Sequence, residues 1–302
     1  DAGEHLKSGD IGFEPAALDN VWQSVDRCLT CHANKMVLAP GHLPGMEFHE
    51  FFATQTIWNV ADRLTSFDGR LLRFGYQQAH LSSPCFKDGS MSCVDCHSPH
   101  SLSYRDIHGR PLEGRFNDGQ CTGCHPSKNG PEHGGHPSHV ELRCTQCHMA
   151  YHQPANVGSH FSHRRSDHRI SIPRPSSEHE SGLRSACETC HTDQTTQWLD
   201  TAMSELYGLL KPESHLVTSL RAIEFSKKHQ GGAASADSTS TLIDRSVSSL
   251  HERSPPASIH AISYLLQDIL LGHHRSVSPS AVDGLWRLTE SHNLDLRAAA
   301  LT

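Results

Sequence analysis

Residues 93–148 contain three copies of one short pattern: Cys93-Val-Asp-Cys96-His97, Cys121-Thr-Gly-Cys124-His125 and Cys144-Thr-Gln-Cys147-His148. One more copy precedes them, Cys28-Leu-Thr-Cys31-His32, and another follows, Cys187-Glu-Thr-Cys190-His191. Cys-x-x-Cys-His is the attachment signature of c-type haem, in which both thiols bond to the porphyrin and the histidine coordinates its iron. A single copy could be a zinc knuckle or a redox pair, but five copies favour haem. We therefore predict five covalently bound haem c groups.

The amino-acid composition indicates that these cofactors form the core. Apolar residues other than glycine make up 36% of the 302 residues, and there are 22 glycines besides. Even with glycine counted, the apolar share stays below the usual 45–50% or so of a globular domain. Five buried porphyrins would supply the missing apolar surface. Ten of the eleven cysteines belong to the motifs, so disulfides cannot stabilise the fold. The sequence favours a buried, small apolar role for the remaining cysteine, Cys85, over a redox or intermolecular role. The predicted fold is mainly α with large irregular content, built around haem.

The net charge and the hydropathy of the sequence limit which partners and which cellular location are expected. The formal charge is −7, so neither nucleic acid nor an anionic membrane surface is an expected partner. The sequence has no run of 18 apolar residues, the length that indicates a transmembrane helix. Because c-type haem is attached outside the cytoplasm, we expect a periplasmic or extracellular protein from which a signal peptide has been removed.

The chain has 26 histidines, far more than the five that end the motifs. An iron closed by a second imidazole passes electrons, whereas an iron with an open sixth position can also bind and activate small molecules. His168 is flanked by Asp167 and Arg169, which could hold its ring. The predicted distal ligands are His42, His80, His100, His136 and His168, with His133 and His139 as alternatives to His136.

The sequence divides into three parts: an N-terminal arm at 1–27, a pentahaem cytochrome c domain at 28–194 and a helical region at 195–302. No cysteine follows residue 195, and apolar residues recur there at helical spacing. We predict helices at 198–210, 215–228, 242–251, 259–271 and 281–288. Helix pairs with a period of about 40 residues are typical of HEAT repeats. We expect this region to bind a partner protein or a neighbouring copy.

Three stretches carry a resemblance to a known family: Gly89-x-Met91-Ser92-Cys93-x-x-Cys96-His97-x-Pro99-His100, His136-Pro137 ahead of Cys144-x-x-Cys147-His148-Met149, and Asp167-His168-Arg169-Ile170-x-Ile172-Pro173-Arg174-Pro175. Over roughly residues 28–200 the chain resembles multihaem (pentahaem) cytochromes c with C-terminal HEAT- or tetratricopeptide-like helical repeats. The resemblance supports His100, His136 and His168 as distal ligands. Related nitrite reductases carry Cys-x-x-Cys-Lys at a catalytic haem, and its absence here counts against nitrite reduction.

Three hypotheses follow from these features. The first is an electron-transfer protein with mostly bis-histidine haems, no catalytic residue and redox proteins as partners. The second is a multihaem oxidoreductase in which one five-coordinate haem acts on a small nitrogen or sulfur compound. The third is a homo-oligomer, such as a subunit of an extracellular cytochrome filament, in which electrons pass between copies. Motif count and the surplus of histidine favour an electron carrier over an enzyme.

Overall fold

The computed structural model describes residues 21–43, 46–54, 76–99, 101, 103–114, 117–129, 133, 142–150, 166–213 and 277–292, with positions 244, 247, 262, 265, 269, 297, 300 and 301. Over these residues, short helices alternate with irregular segments, and the sheets are two-stranded. The predicted fold class, mainly α with large irregular content, is therefore confirmed.

The α-helices of the described residues are α1 Val21–His32, α2 Phe48–Phe51, α3 Pro84–Lys87, α4 Gly119–Thr122, α5 Cys144–His148, α6 Pro175–Glu180, α7 Thr196–Tyr207 and α8 Pro279–Leu288. The 3-10 helices are Tyr76–Ser82, Cys93–Asp95, Pro126–Lys128 and Cys187–Thr189. Strand β1 Lys35–Val37 pairs antiparallel with β2 Phe52–Thr54, and β3 Tyr104–Arg105 pairs antiparallel with β4 Pro111–Leu112.

An apolar core joins α1 to the segment that leads into the second motif. Val25 and Leu29 lie one turn apart on α1 and are buried. They belong to one cluster with further buried residues, Ala33, Phe48, Leu81 and Phe86, against which Cys93 packs. The ring of Trp22 meets that of Phe86 edge to face, with 4.8 Å between centroids. Burial of this cluster therefore brings the first two motifs together.

A small hairpin supports the second motif. The backbone N–H of Arg105 on β3 donates to Cys96 O at 3.0 Å, and Ser98 N–H donates to Ser103 O at 2.9 Å. Between β3 and β4, the Asp106 carboxylate accepts from the backbone N–H of Arg110 and from its Nε. Gly109 has φ +76°, a turn conformation that glycine adopts without steric cost. The hairpin thus fixes the backbone on the C-terminal side of this motif.

Helix α7 packs against α6 and the segment before it. The backbone N–H of Ser176 on α6 donates to Asp200 Oδ1 at 3.2 Å. Beyond α7, Glu213 Oε1 lies 3.9 Å from both Arg169 Nη2 and Arg174 Nε. The sequence predicted a helix over 198–210, but α7 ends at Tyr207 because Gly208 has φ +64°.

The C-terminal described residues are helical at 244, 247, 262, 265 and 269 and in α8. The Ser278 side chain caps α8 and Pro279 follows it, so this helix begins two residues before the predicted 281–288. Ser278 N–H also donates to Asp244 Oδ1 at 3.1 Å. The predicted helix at 215–228 lies outside the described residues, and the repeat arrangement and domain boundaries stay predictions. No described helix has the length and apolar character required to cross a membrane.

Candidate haem-binding site

Each Cys-x-x-Cys-His motif forms about one helical turn. The backbone N–H of His97 donates to Cys93 O at 2.9 Å, and the same bond at the same length joins His125 to Cys121 and His191 to Cys187. The first motif ends α1 and the fourth is α5. Residues three and four apart share one side of a helical turn. Both thiols and the histidine of each motif can therefore face one ligand.

All eleven cysteines are free of disulfides, and ten of them stand in the motifs. Cys85, which lies outside the motifs, is half-buried. Burial raises the pKa of its thiol, and the nearby Cys124 raises it further. Its position places it beside the third motif. That Cys85 acts as a small apolar residue stays a prediction.

The first and second motifs touch through their first cysteines. The Cys93 thiol donates a hydrogen bond to the Cys28 sulfur, which raises the pKa of Cys93 and lowers that of Cys28 to about 7. The Cys28 thiol in turn faces Ser24 O, at 3.8 Å. These two motifs are far apart in sequence, and the apolar cluster around α1 is what brings them together.

The second, third and fourth motifs follow one another in space. Gln120 Nε2, beside the third motif, donates to Cys96 O of the second at 3.1 Å. Asp118 Oδ1, also beside the third motif, accepts from Cys144 N–H of the fourth at 2.9 Å. A hydrogen bond between Cys144 and Cys121 raises the pKa of the Cys144 thiol and lowers that of Cys121. The first-cysteine contact of motifs one and two thus recurs between motifs three and four.

The fourth and fifth motifs are neighbours as well. Burial raises the pKa of Cys147 to about 11, and the thiols of Cys187 and Cys190 contribute to this rise. Each motif is therefore adjacent in space to the motif that precedes it and to the one that follows it in sequence. The resulting arrangement is a row of five attachment motifs.

His97 of the second motif faces His168, one of the predicted distal ligands. Their ring centroids are 6.4 Å apart and their planes differ by 20°. His168 comes after the fourth motif in sequence but is paired with the second. Burial lowers its pKa to about 4, so the imidazole is neutral near pH 7 and can coordinate a metal.

His148 of the fourth motif faces His133 in the same manner. Their ring centroids are 6.1 Å apart and their planes differ by 4°. The sequence predicts His133 as an alternative ligand to His136. His136, like His139 and the predicted ligand His100, lies outside the described residues. The described part of the chain thus gives His148 a facing imidazole at position 133.

The spacing within both pairs fits an iron between the rings. A metal–imidazole bond is about 2 Å long and a ring centroid lies about 1 Å beyond its nitrogen, so two axial imidazoles have centroids about 6 Å apart. The observed values are 6.4 Å and 6.1 Å. Two parallel rings stacked face to face, with about 3.5–4 Å between their atoms, would have their centroids closer together than this. The residues present therefore fit bis-histidine haem.

One histidine of each pair is held through Nδ1 by a backbone carbonyl. His168 Nδ1 donates to Ser166 O at 2.9 Å, and His148 Nδ1 donates to Ser171 O at 3.0 Å. A proton on Nδ1 leaves the lone pair on Nε2, which is the atom free to coordinate. The sequence predicts that Asp167 and Arg169 hold the His168 ring, and the structure adds the Ser166 carbonyl as a hydrogen-bond partner of His168 Nδ1.

The short segment 166–171 contributes to both histidine pairs. Asp167 N–H donates to Ala150 O at 3.1 Å, which ties this segment to the chain just after the fourth motif. Ile170 has φ +50°, a left-handed conformation that is costly for a β-branched residue. This turn lies between His168, which faces the second motif, and Ser171, whose carbonyl holds His148. The strain is thus located where the chain passes from one pair to the other.

The structure also describes two other predicted ligands, His42 and His80, whose surroundings differ. His42 lies between the rings of Phe51 and Phe52, and its Nε2 is buried without a hydrogen-bond partner among the described residues. His80 is buried, and its Nε2 faces Met91 O at 2.8 Å while its Nδ1 faces Ser83 Oγ at 3.2 Å. Coordination by His80 Nε2 would require its contact with Met91 to break. Both ligand assignments stay predictions.

Comparison with known proteins adds little to this geometry. No protein-family model matches the chain, and no curated protein sequence matches it. A solved structure of the outer cell wall cytochrome OcwA is similar at 12% sequence identity and a TM-score of 0.43, over 90% of this chain and 68% of that one. A likeness at that TM-score supports no argument about this chain.

Proposed function

We propose that the chain is a multihaem c-type cytochrome that transfers electrons along a row of five haems. The observation that carries the proposal is the pair of facing imidazoles on two of five attachment motifs, His97 with His168 and His148 with His133. Haem c, when bound, supplies a one-electron carrier whose potential is set by its axial ligands and surroundings.

The residues of the chain bind, orient and order the cofactors. The ten motif cysteines hold the porphyrins, and His32, His97, His125, His148 and His191 are the proximal ligands. Contacts between successive motifs keep neighbouring cofactors close, through Cys28 with Cys93 at one end and Cys147 with Cys187 at the other. The carbonyls of Ser166 and Ser171 fix the tautomers of two axial histidines. Bound haems would therefore be neighbours along this row, close enough for electrons to be exchanged between successive motifs.

The proposed axial set differs from the sequence-based prediction at one position. His133 replaces His136 as the distal partner of the fourth motif, since its ring faces His148. His168 is kept and assigned to the second motif. His42, His80 and His100 are kept as candidates for the three remaining motifs, without assignment of one histidine to one motif. A second imidazole on each iron excludes exogenous ligands and leaves electron transfer as the reaction.

Location and partners belong to the same proposal. Attachment of haem c outside the cytoplasm implies a periplasmic or extracellular protein. Redox proteins would be its partners, and a homo-oligomer or filament would continue the row of motifs from one copy to the next. The helical region beyond residue 213, with buried Val247, Ile262, Leu265 and Leu288, is the part proposed to mediate assembly.

Spectra of the purified ferric protein before and after addition of cyanide or nitrite test this function. An electron carrier with five bis-histidine haems is wholly low-spin, and its spectrum does not change on addition of either anion. The contrary result, a high-spin haem whose spectrum shifts with cyanide or nitrite, would support an oxidoreductase acting on a small nitrogen or sulfur compound.

A further inference from the structure

Helix α7 contacts the surroundings of two motifs. Near its start, the ring of Trp198 lies 5.5 Å, centroid to centroid, from the ring of His191, the histidine of the fifth motif. At its last residue, the ring of Tyr207 lies 6.1 Å from that of His133, with an angle of 61° between planes. The helix therefore extends along the side of the fourth and fifth motifs. The sequence instead predicts that all residues after 194 form a helical region apart from the cytochrome domain.

The surroundings of Tyr207 place it between these two motifs. Its side chain is half-buried. Burial raises the pKa of the Tyr207 hydroxyl, and the sulfurs of Cys147 and Cys187 raise it further. Cys147 belongs to the fourth motif and Cys187 to the fifth, so the phenol lies beside the attachment points of two successive cofactors.

The backbone that carries Tyr207 is fixed on both sides. On α7, Asp200 Oδ1 accepts from Ser176 N–H. Directly after Tyr207, Gly208 N–H donates to Ser204 O at 2.9 Å and its φ of +64° ends the helix. A few residues further, Glu213 pairs with Arg169 and Arg174. The phenol ring is therefore held at a defined position against His133.

We propose that Tyr207 is a positioning residue that fixes the orientation of the His133 ring relative to His148. This inference rests on the proposed function. The two imidazole planes differ by only 4°, whereas an imidazole bound at one nitrogen is free to rotate about that bond. An edge-to-face contact with an aromatic ring is directional, so the Tyr207 ring opposes such rotation. Removing the ring allows the two planes to depart from parallel.

The anisotropy of the electron paramagnetic resonance (EPR) signal of a low-spin ferric haem depends on the angle between its axial imidazole planes. This signal responds to ligand orientation and not to general stability. The test compares Tyr207→Leu, which removes the ring, with Tyr207→Phe, which keeps the ring and removes the hydroxyl. Leu206→Ala serves as the matched control, because Leu206 is the neighbouring residue on α7 and is 53% exposed.

The expected result is a shift in the low-spin signal of one haem in Tyr207→Leu, with the other four unchanged. Tyr207→Phe and Leu206→Ala should keep the parental signal. If Tyr207→Leu loads fewer than five haems, Tyr207→Met replaces it in the comparison. An unchanged signal in the ring-deleted variant, or an equal shift in Tyr207→Phe, overturns the proposal.

His133→Ala in the same series separates this proposal from the function on which it rests. If His133→Ala creates a high-spin haem while Tyr207→Leu leaves the signal unchanged, the axial pair stands and only the positioning role is wrong. If His133→Ala leaves every haem low-spin, the axial pair itself is wrong and the positioning role is overturned with it.

Discussion

The imidazole rings of His133 and His148 face each other with centroids 6.1 Å apart and planes within 4° of parallel. His148 belongs to an attachment motif and is held through Nδ1 by Ser171 O, which leaves Nε2 available. His133 lies between the third and fourth motifs in a stretch that holds two more histidines, His136 and His139. Among the described residues, His133 is the histidine of this group whose ring faces His148, and we propose it as the partner of the fourth motif.

Replacing His133 by Ala should therefore convert one of five low-spin haems to high-spin, because the fourth iron loses its sixth ligand. The optical and EPR spectra of the ferric protein measure this directly. His179→Ala is the control, since His179 is exposed on α6. A high-spin haem in His136→Ala together with an unchanged His133→Ala would return the assignment to His136.

Replacing His168 by Ala should likewise open one iron, in this case that of the second motif. The ring of His168 faces His97 at 6.4 Å between centroids. In His168→Ala we expect one high-spin haem that binds cyanide. In the double variant His168→Ala/His133→Ala we expect two high-spin haems, one for each histidine pair that has lost a ligand. If the double variant opens only one iron, the two histidines do not serve different haems.

Replacing Phe86 by Ala should lower the free energy of unfolding by about 3–5 kcal/mol, the usual cost of removing a buried phenylalanine. Phe86 is 5% exposed and contacts Trp22 on α1. Thermal unfolding followed by circular dichroism measures the loss, with Leu209→Ala as control because Leu209 is 99% exposed. A loss below about 1 kcal/mol, within the range of surface substitutions, would show that this cluster is not a core.

Two truncated chains, one that keeps α7 and one that lacks it, should show whether α7 acts on the haems separately from the rest of the helical region. A chain that ends at Glu213 keeps α7 and its contacts with α6, so we expect five haems and the parental EPR signal. A chain that ends at Gln194 loses Tyr207 and should show an altered low-spin signal for one haem. Identical spectra for the two truncated proteins would mean that α7 has no influence on the haems and belongs with the region that follows it.

The helical turn of each Cys-x-x-Cys-His motif follows from the sequence because it is a local structure. One helical turn brings both cysteines and the histidine to the same side, as the bond from His97 N–H to Cys93 O shows. The pairing of the distal histidines, by contrast, depends on contacts between residues that are distant in sequence. His168 was predicted as a ligand, but its pairing with His97 depends on the contact of Asp167 with Ala150 and on the left-handed turn at Ile170. Neither feature has a signature in the sequence.

The role of α7 could not be predicted for a related reason. Its periodicity is that of any amphipathic helix, and residues 195–302 lack cysteine, so the sequence indicated a separate helical region. In the structure, Trp198 contacts His191 of the fifth motif, and Tyr207 contacts His133, which is distant from it in sequence. These contacts fix where the helix lies. Its end was predicted three residues late because a single glycine, Gly208, adopts φ +64°.

The central claim is that ten cysteines attach five haems to this chain. Intact mass spectrometry of the denatured protein tests it most directly, because thioether-bound haem remains on the polypeptide when the fold is lost. We expect a mass that exceeds that of the 302-residue sequence by five haems, in a protein produced with the haem-attachment machinery. A mass with four or fewer haems, or with none, would contradict the claim.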